Sequence, residues 1–302
     1  MYDLIIIGAG PAGITASVYA ARKRMDVIVI SKDIGGQTAW SGDIENYTGY
    51  QFITGPDLAA KFEEHMKKFA IQLKENEAAS GLKKVGEKIV VETDKGNYEA
   101  KTVIVASGKR SRELNVPGEE KFKNKGLTYC ATCDAPLFNG KEVAVIGGGN
   151  SALDAAIQLM RIAKKIYLIN ITKQLTGDPI MQEQVISSKI VTVFNDAQVN
   201  EIIGDKFVSG IKIKRSGAEE TLAVGGVFVE IGLLPNSDFA KELAQNEFRE
   251  IKVNSRNETN LPGIFAAGDV TDVPEKQIVI AAGEGSKAAL SAFRYLIQHK
   301  FS

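Results

Sequence analysis

Two glycine-rich turns, one beginning at Gly8 and the other at Gly147, constrain the fold of this chain more than any other feature. Each turn lies between an apolar strand pattern, at residues 4–7 or 142–146, and a helical pattern, at residues 14–24 or 153–163. A glycine turn in this position is typical of a dinucleotide-binding βαβ unit. The sequence therefore predicts an α/β fold with two Rossmann-like, three-layer dinucleotide-binding domains.

The first turn has the full spacing of the dinucleotide fingerprint. Its first glycine permits the tight turn, the second lets a pyrophosphate approach the backbone, and the third lets helix and strand pack closely. The start of the helix offers N–H groups to phosphate. The expected nucleotide ligands are Gly8, Gly10, Pro11, Ala12 and Gly13. An acidic residue about 20 positions further on should bind the adenosine ribose, and Asp33 is near that spacing.

The second turn repeats the pattern, and Gly147, Gly149, Asn150 and Ser151 are expected to bind a second nucleotide. Residues 88–101 and 210–224 alternate like hairpin strands. Proline and glycine at 117–118 and within 232–236 indicate where the chain crosses between domains. We expect one discontinuous domain, residues 1–114 and 236–302, and a second domain, residues 115–235, inserted into it.

Gly268 and Asp269 follow a buried apolar pattern near the end of the chain. A carboxylate at the end of such a strand is well placed to bind the polyol of a flavin's ribityl chain. A small-residue helix is expected to begin in the segment 277–289, where its positive end would stabilise negative charge on a reduced flavin. These features favour FAD as the ligand of the discontinuous domain.

The chain contains only two cysteines, in the order Cys130-Ala131-Thr132-Cys133. Zinc needs about four ligands, but besides this pair the chain contains only two histidines and no second C-x-x-C. The sequence therefore does not favour a zinc site. A pair at this spacing can close a small disulfide, and Asp134 beside it is the candidate acid that moves a proton during reduction. The alternative is a pair of buried, unreactive thiols.

Charge and hydropathy exclude other classes of protein. Lys+Arg and Asp+Glu both number 37, so no basic field attracts nucleic acid or an anionic membrane surface. No apolar run approaches the roughly 20 residues of a membrane-spanning helix. A strand pattern begins almost at once, which leaves no room for a signal peptide. We expect a cytoplasmic protein.

These motifs, in this order, resemble those of the low-molecular-weight thioredoxin reductases. The resemblance covers essentially the whole chain and includes both glycine turns, Gly35-Gly36-Gln37, residues 45–47, the cysteine pair with Asp134, and Gly268-Asp269. Residues 232–236 and 274–285 are closer to the flavoprotein subunit of alkyl hydroperoxide reductase. That subunit carries an N-terminal extension with its own C-x-x-C, which is absent here, so the resemblance favours direct reduction of a separate carrier.

The resemblance implies a homodimer that binds FAD and a middle domain that rotates between two tasks. By position, Cys133 would face the flavin, Cys130 would attack a thioredoxin-like carrier, and Asp134 would be the acid. The residues expected at the flavin, besides the first glycine turn, are Asp33, Gly35, Gly36, Gln37, Asn46, Ala106, Ser107, Gly108, Gly268, Asp269, Lys276, Gln277 and Ile278.

The electron donor is where the sequence departs from the family pattern. NADPH-using relatives carry a His-Arg-Arg signature and a further Arg that bind the 2'-phosphate, whereas residues 170–176 read Asn-Ile-Thr-Lys-Gln-Leu-Thr. Asn170 could bond weakly to an NADH ribose. Three donors remain open: NADH bound modestly, NADPH bound weakly, or ferredoxin.

The competing functions are an NADH-dependent disulfide reductase of a peroxiredoxin system, a flavin oxidase, and a flavin-binding protein without activity.

Overall fold

The computed structural model describes residues 1–41 and 43–299, without the side chains of Trp40, Asp43, Thr132 and Cys133. The strands of this part of the chain are β1 (Tyr2–Ala9), β2 (Val27–Ile34), β3 (Asp43–Ile44), β4 (Ile53–Thr54), β5 (Gln72–Lys74), β6 (Ala79–Val85), β7 (Lys88–Thr93), β8 (Asn97–Val105), β9 (Lys109–Ser111), β10 (Leu127–Thr128), β11 (Glu142–Ile146), β12 (Lys165–Ile169), β13 (Val191–Phe194), β14 (Ala197–Gly204), β15 (Val208–Arg215), β16 (Ala218–Ala223), β17 (Gly226–Val229), β18 (Leu233–Pro235) and β19 (Ile264–Ala266).

The α-helices of the same part are α1 (Pro11–Arg22), α2 (Gln37–Trp40), α3 (Gly55–Lys67), α4 (Glu119–Phe122), α5 (Ala131–Asp134), α6 (Asn150–Leu159), α7 (Pro179–Ser187) and α8 (Ile278–Gln298). Short 3₁₀ helices span Ala135–Phe138 and Gly268–Val270. Within residues 1–41 and 43–299, no helix is both long enough and apolar enough to cross a membrane.

The chain divides into two compact units. Unit 1 comprises Met1–Arg110 and Leu234–Ser302, and unit 2 comprises Ser111–Leu233. Unit 2 is therefore inserted into unit 1 along the sequence, and β9 pairs with β18 where the chain crosses. The predicted α/β class with two Rossmann-like domains is confirmed.

Unit 1 is built on a mixed sheet in the order β5-β2-β1-β8-β7-β6, with β19 paired to β8. The strands β5, β2, β1, β8 and β19 are parallel, and β7 and β6 continue the sheet antiparallel. The run Leu4–Ile7 is apolar because both faces of β1 are buried. Leu4 and Ile6 pack with α1 and α8, whereas Ile5 and Ile7 pack with Leu243 and Ile251.

Unit 2 is built on a parallel sheet in the order β10-β17-β11-β12-β13. One face packs against α6 and α7, through a cluster that includes Val143, Leu153 and Val185. The other face packs against the antiparallel sheet β14-β15-β16, in a cluster that includes Ala144 and Ile211. Unit 2 therefore has three layers, with the carboxyl ends of its parallel strands along one edge.

Candidate functional site

The first glycine turn lies between β1 and α1 and leaves room beside the main chain. Gly8 has a φ of +109°, and a Cβ there would lie 2.3 Å from the Ala106 carbonyl oxygen. A Cβ on Gly13 would lie 1.8 Å from the Gly8 carbonyl oxygen, so both positions require glycine. Beside Gly10, the nearest atom to such a Cβ is the Gly35 carbonyl oxygen at 4.0 Å. The open side of the turn is therefore at its second glycine.

The start of α1 offers backbone donors to this open side. Pro11 is the first helical residue, and no side chain in the described part of the chain caps the turn that begins at Gly10. The N–H groups of Ala12 and Gly13 precede the first helical hydrogen bond, which Ile14 donates to Gly10. An anion such as a pyrophosphate is the ligand that this arrangement favours.

The turn at Gly35 and Gly36 lies against the first glycine turn. The N–H of Gly35 donates to the Ala9 carbonyl at 2.7 Å, and a Cβ on Gly36 would lie 3.3 Å from the Gly10 Cα. Ser31 fixes the end of β2, since its hydroxyl donates to the Asp33 carbonyl at 2.6 Å. Asp33 itself is exposed on β2. The structure thus brings the two predicted turns together and leaves the Asp33 side chain in solvent.

Two predicted flavin residues that are distant in sequence meet in unit 1. The Asn46 amide donates to the Gln277 Oε1 at 3.1 Å, and Gln277 is the residue just before α8, which starts at Ile278. Gln37 donates to the carbonyl oxygen of Lys109 at 2.5 Å. Gln37 therefore lies beside the segment that follows β8, and Asn46 lies beside the segment that precedes α8.

Asn236 holds the segment Ala106–Gly108 in place. Its amide donates to the Ser107 carbonyl at 2.8 Å, and its N–H donates to the Gly108 carbonyl at 3.0 Å. The Ser107 hydroxyl donates to the Asn236 carbonyl at 2.7 Å. In the sequence Asn236 stood out only as part of a chain crossing, although an asparagine after a proline is a common turn residue.

Gly268 and Asp269 lie next to the first glycine turn. A Cβ on Gly268, whose φ is +75°, would lie 3.0 Å from the Cβ of Ala12. A Cβ on Gly285 would lie 2.0 Å from the Ala12 carbonyl, so α8 packs directly on α1. Burial raises the pKa of Asp269 above the ordinary value of an aspartate, while the charges of Lys276 and Lys109 oppose this rise.

A cluster of charged side chains accompanies Asp269. Glu250 forms ion pairs with Lys109 and, at 3.2 Å, with Lys276, and the three side chains are 12%, 8% and 16% exposed. Burial lowers the pKa of Lys276, and the neighbouring charge of Lys109 adds to this effect. Lys109 and Glu250 were missed in the sequence, because a buried ion pair between distant segments has no periodic signal. Within the described residues, no group of three or more His, Cys, Asp or Glu could hold a metal ion.

The second glycine turn, in unit 2, is closed by the loop that follows β12. A Cβ on Gly147 would lie 2.3 Å from the Glu230 carbonyl oxygen. The Gly148 carbonyl accepts from the N–H groups of Thr176 at 2.7 Å and Gly177 at 3.2 Å. The Asn150 side chain accepts from the Asp178 N–H at 2.7 Å. Gly149 precedes α6 without a side-chain cap among the described residues, and Ser151 is exposed in its first turn.

Asn170, the expected weak ribose ligand, forms its hydrogen bonds with other residues of the protein. Its amide donates to the Thr172 carbonyl at 3.0 Å and to Asn195 at 2.9 Å, and its Oδ1 accepts from the Thr172 hydroxyl at 3.0 Å. Binding a ribose would break one of these bonds. Nearby lies an open cavity of about 410 Å³, lined by the uncharged side chains of Gln174, Leu175, Gln182, Ile186, Val191, Val193 and Asn195.

Cys130 is disulfide-bonded, in a chain with one other cysteine. Its N–H donates to the Thr128 hydroxyl at 3.1 Å, and the Thr128 hydroxyl donates to the Asp134 carboxylate. The Asp134 N–H donates to the Cys130 carbonyl at 3.1 Å, which closes the turn of α5. The predicted acid is thus held beside Cys130 by a threonine. The role predicted for the Cys133 thiol falls on a side chain outside the described part of the structure.

Two glutamates that the sequence did not indicate surround the cysteine segment. Glu230, after β17, accepts from the Ala131 N–H at 3.2 Å, and burial raises its pKa to about 7. Glu119 accepts from the Tyr129 hydroxyl at 2.8 Å and from the N–H groups of Leu114 and Asn115 at 2.8 and 2.7 Å. Glu230 could have been noticed as a carboxylate that ends an apolar strand.

Comparison with known proteins gives one family. The family model described as pyridine nucleotide-disulphide oxidoreductase matches residues 2–285. The crystal structure of thioredoxin reductase from Streptococcus pyogenes is similar over 99% of both chains, with 38% identity and a TM-score of 0.90.

Curated relatives are longer than this chain. The F subunit of alkyl hydroperoxide reductase in Pseudomonas aeruginosa is 45% identical over 98% of this chain and 58% of its own length. A protein named NADH dehydrogenase from Ferdinandcohnia aciditolerans is 43% identical over 99% of this chain and 58% of its own length. The chain thus spans less than two thirds of these relatives.

Proposed function

The chain belongs to the pyridine nucleotide-disulphide oxidoreductase family, and we propose that it transfers electrons from a donor, through FAD and the Cys130 disulfide, to thioredoxin or a similar dithiol carrier. It is an oxidoreductase, and the family to which it is similar uses FAD and NAD(P)H. The observation that carries the proposal is the disulfide-bonded Cys130 beside the Thr128–Asp134 hydrogen bond.

We assign FAD to the domain of residues 1–114 and 236–302. The open side of the turn at Gly10 and the uncapped start of α1 fit a pyrophosphate, and the half-buried carboxylate of Asp269 fits a polyol. When bound, FAD supplies two-electron transfer between a pyridine nucleotide and a disulfide. The Asn46–Gln277 pair and the Ala106–Gly108 segment held by Asn236 would line the rest of the site.

The cysteine segment supplies the thiol chemistry in this proposal. Cys130 is the thiol that attacks the carrier, and Cys133 is its partner on the flavin side. Asp134 holds the proton that a leaving thiolate needs, and the Thr128 hydroxyl keeps the carboxylate in place. The domain of residues 115–235 carries this pair together with the second nucleotide site, at Gly147, Gly149, Asn150 and Ser151.

For the donor, the proposal favours NADH over NADPH. A 2'-phosphate needs cationic partners, and Lys173 is the one cation in the sequence of residues 170–176. The relative named NADH dehydrogenase supports the same choice. Ferredoxin is the second donor in the proposal, because the amide groups of Asn170 are already bonded within the protein and the nucleotide loop is closed on Gly148.

The similarity to the F subunit of alkyl hydroperoxide reductase favours a second candidate for the acceptor, a disulfide of a peroxiredoxin system. Both candidates use the same Cys130 chemistry and differ in the carrier. The homodimer, which rests on the resemblance to thioredoxin reductases, and the cytoplasmic location, which rests on the sequence patterns described above, are further parts of the proposal.

Stopped-flow absorbance of the FAD-loaded protein tests the proposal. NADH, NADPH and reduced ferredoxin are mixed with it separately, followed by thioredoxin or a peroxiredoxin-system disulfide. We expect NADH to bleach the flavin faster than NADPH and the carrier to restore its colour. In Cys130→Ser protein the bleaching should persist and the recovery by carrier should be lost. Recovery that needs oxygen and neither the carrier nor Cys130 would contradict the proposal and favour a flavin oxidase.

A further inference from the structure

Glu230 and Cys130 follow the ends of two neighbouring strands. β10 and β17 are parallel, with Leu127 opposite Val227 and Thr128 opposite Phe228. Continued by two residues, this register brings Cys130 and Glu230 to the same level beyond the edge of the sheet. A carboxylate at the end of β17 therefore lies next to the disulfide segment.

The Glu230 side chain is fixed against this segment. Its Oε1 accepts from the N–H of Ala131, the residue that follows Cys130, at 3.2 Å. Its own N–H donates to the Ile146 carbonyl at 2.8 Å, and its carbonyl lies against Gly147. The strand end and the glycine turn thus leave Glu230 little freedom to move away from the disulfide.

The electrostatic surroundings of Glu230 disfavour a negative charge. Burial raises its pKa to about 7, its hydrogen bond from Ala131 opposes this, and the like charge of Asp154 on α6 adds to it. Among the described side chains of the packed cysteine segment, Tyr129 and Asp134 can ionise, each only to a negative charge, and the disulfide-bonded Cys130 does not titrate. A new negative charge on a cysteine sulphur would raise the proton affinity of Glu230 further.

We propose that Glu230 is a positioning residue that binds a proton when the Cys130 disulfide is reduced, an inference that rests on the proposed function. Two electrons break the S–S bond and leave one negative charge on each sulphur. Asp134 donates one proton to one of the two sulphurs, and solvent then reprotonates Asp134. The second sulphur stays a thiolate while the Glu230 carboxylate takes the second proton from solvent. The reductant is the reduced flavin in the enzyme and dithiothreitol in the test below.

A redox titration of the FAD-loaded protein tests this inference. The protein is equilibrated without oxygen against mixtures of reduced and oxidised dithiothreitol at about pH 6 and about pH 8.5, on either side of the Glu230 pKa. Alkylation followed by mass spectrometry gives the fraction with a reduced Cys130. The variant is Glu230→Gln, which keeps an oxygen to accept from Ala131 and cannot ionise. The matched control is Glu142→Gln, on β11, whose carboxylate pairs with Lys164.

We expect Glu230→Gln to shift the equilibrium toward the dithiol about fivefold at the higher pH, where wild-type Glu230 is charged and opposes a thiolate. At the lower pH the shift should be under about twofold, because wild-type Glu230 is then neutral. The control should match the wild type at both pH values. An equal shift at both pH values, or none at either, would overturn the inference.

A second variant keeps the test valid if Glu230→Gln does not fold. Asp154→Asn removes the like charge on α6 and should move the midpoint of the pH dependence to lower pH, whereas an unchanged midpoint counts against the inference. Because dithiothreitol reduces the disulfide without the flavin, the titration reports on Glu230 even if the proposed electron path fails. That failure appears separately, as a flavin whose reduction leaves Cys130 disulfide-bonded.

Discussion

The Asn46 side chain donates a hydrogen bond of 3.1 Å to Gln277, a residue 231 positions later in the chain. The bond joins the loop between β3 and β4 to the residue just before α8, within unit 1. Both residues belong to the set predicted to bind the flavin. A contact of this kind can shape a cofactor site without contributing to the core of either element.

Asn46→Ala should weaken FAD binding by about fivefold, because one neutral hydrogen bond contributes about 1 kcal/mol. Fluorescence of released FAD during equilibrium dialysis measures the change. The matched control is Asn200→Ala in unit 2, whose amide bonds to Glu219 on the surface. Equal weakening by both variants would show that the effect does not come from the Asn46–Gln277 pair.

Asp134→Asn should slow reduction of the Cys130 disulfide roughly a hundredfold, the lower range for loss of a general acid. FAD binding should not change, because the residues assigned to FAD all lie in unit 1. Rapid-quench alkylation of Cys130 after mixing with NADH measures the rate. Asp205→Asn, an exposed aspartate in a turn of the same unit, serves as the control. If the Cys130 disulfide were reduced as fast in Asp134→Asn as in this control, Asp134 would not be the acid.

Ile171→Arg should improve NADPH binding relative to NADH by about tenfold, since a charged hydrogen bond to phosphate contributes about 1.5 kcal/mol or more. Ile171 is 68% exposed on the loop after β12, within the segment 170–176 that lacks the arginine signature. Ile180→Arg places the same charge at a 76% exposed isoleucine of α7. Fluorescence titration with both nucleotides gives the ratio, and an equal gain for NADH would argue against a 2'-phosphate position at this loop.

Glu250→Gln should lower the free energy of unfolding of unit 1 by about 2 kcal/mol, less than for a fully buried ion pair because the side chains keep some exposure. Burial works to raise the pKa of Glu250, but hydrogen bonds from Lys109 and Asn246 hold it below its usual 4.5. The contribution is therefore present above about pH 4.5 and is lost as the pH falls through the folded-state pKa.

Urea denaturation of the protein without bound FAD, followed by circular dichroism at about pH 7 and about pH 3, measures the difference in free energy of unfolding between Glu250→Gln and the wild type. The variant and the wild type should differ at the higher pH and converge at the lower one. Glu63→Gln, which breaks an exposed pair with Lys67, should have a much smaller effect. A constant difference at both pH values would mean that the charge of Glu250 is not what stabilises unit 1.

The fold could be predicted from short patterns of apolar residues and glycines in the sequence. The apolar runs of β1 and β11 and the glycines after them identify βαβ units because their spacing is set by adjacent residues. The helix limits differ from the predicted ones: α1 begins at Pro11 and not at residue 14, since proline fits the first helical position. The helix ends at Arg22, before Arg24 with its φ of +58°.

The charged parts of the candidate site could not be predicted in this way. Lys109 and Glu250 are 141 residues apart, and Glu230 meets Ala131 across 99 residues. Such pairs depend on which loops the sheet brings together, and a single charged residue has no period to reveal this. Asn170 shows the reverse case, because the sequence pattern indicates a ribose ligand whereas its amide donates to Asn195 within the fold.

An anaerobic dithionite titration of the FAD-loaded protein tests electron transfer to the disulfide most directly. Wild-type protein should take up about four electrons per chain, two for the flavin and two for the disulfide, and Cys130 should become open to alkylation. Cys130→Ser protein should take up about two. A wild-type protein that takes up only two electrons, with its flavin fully reduced and Cys130 still disulfide-bonded, would contradict the proposed path.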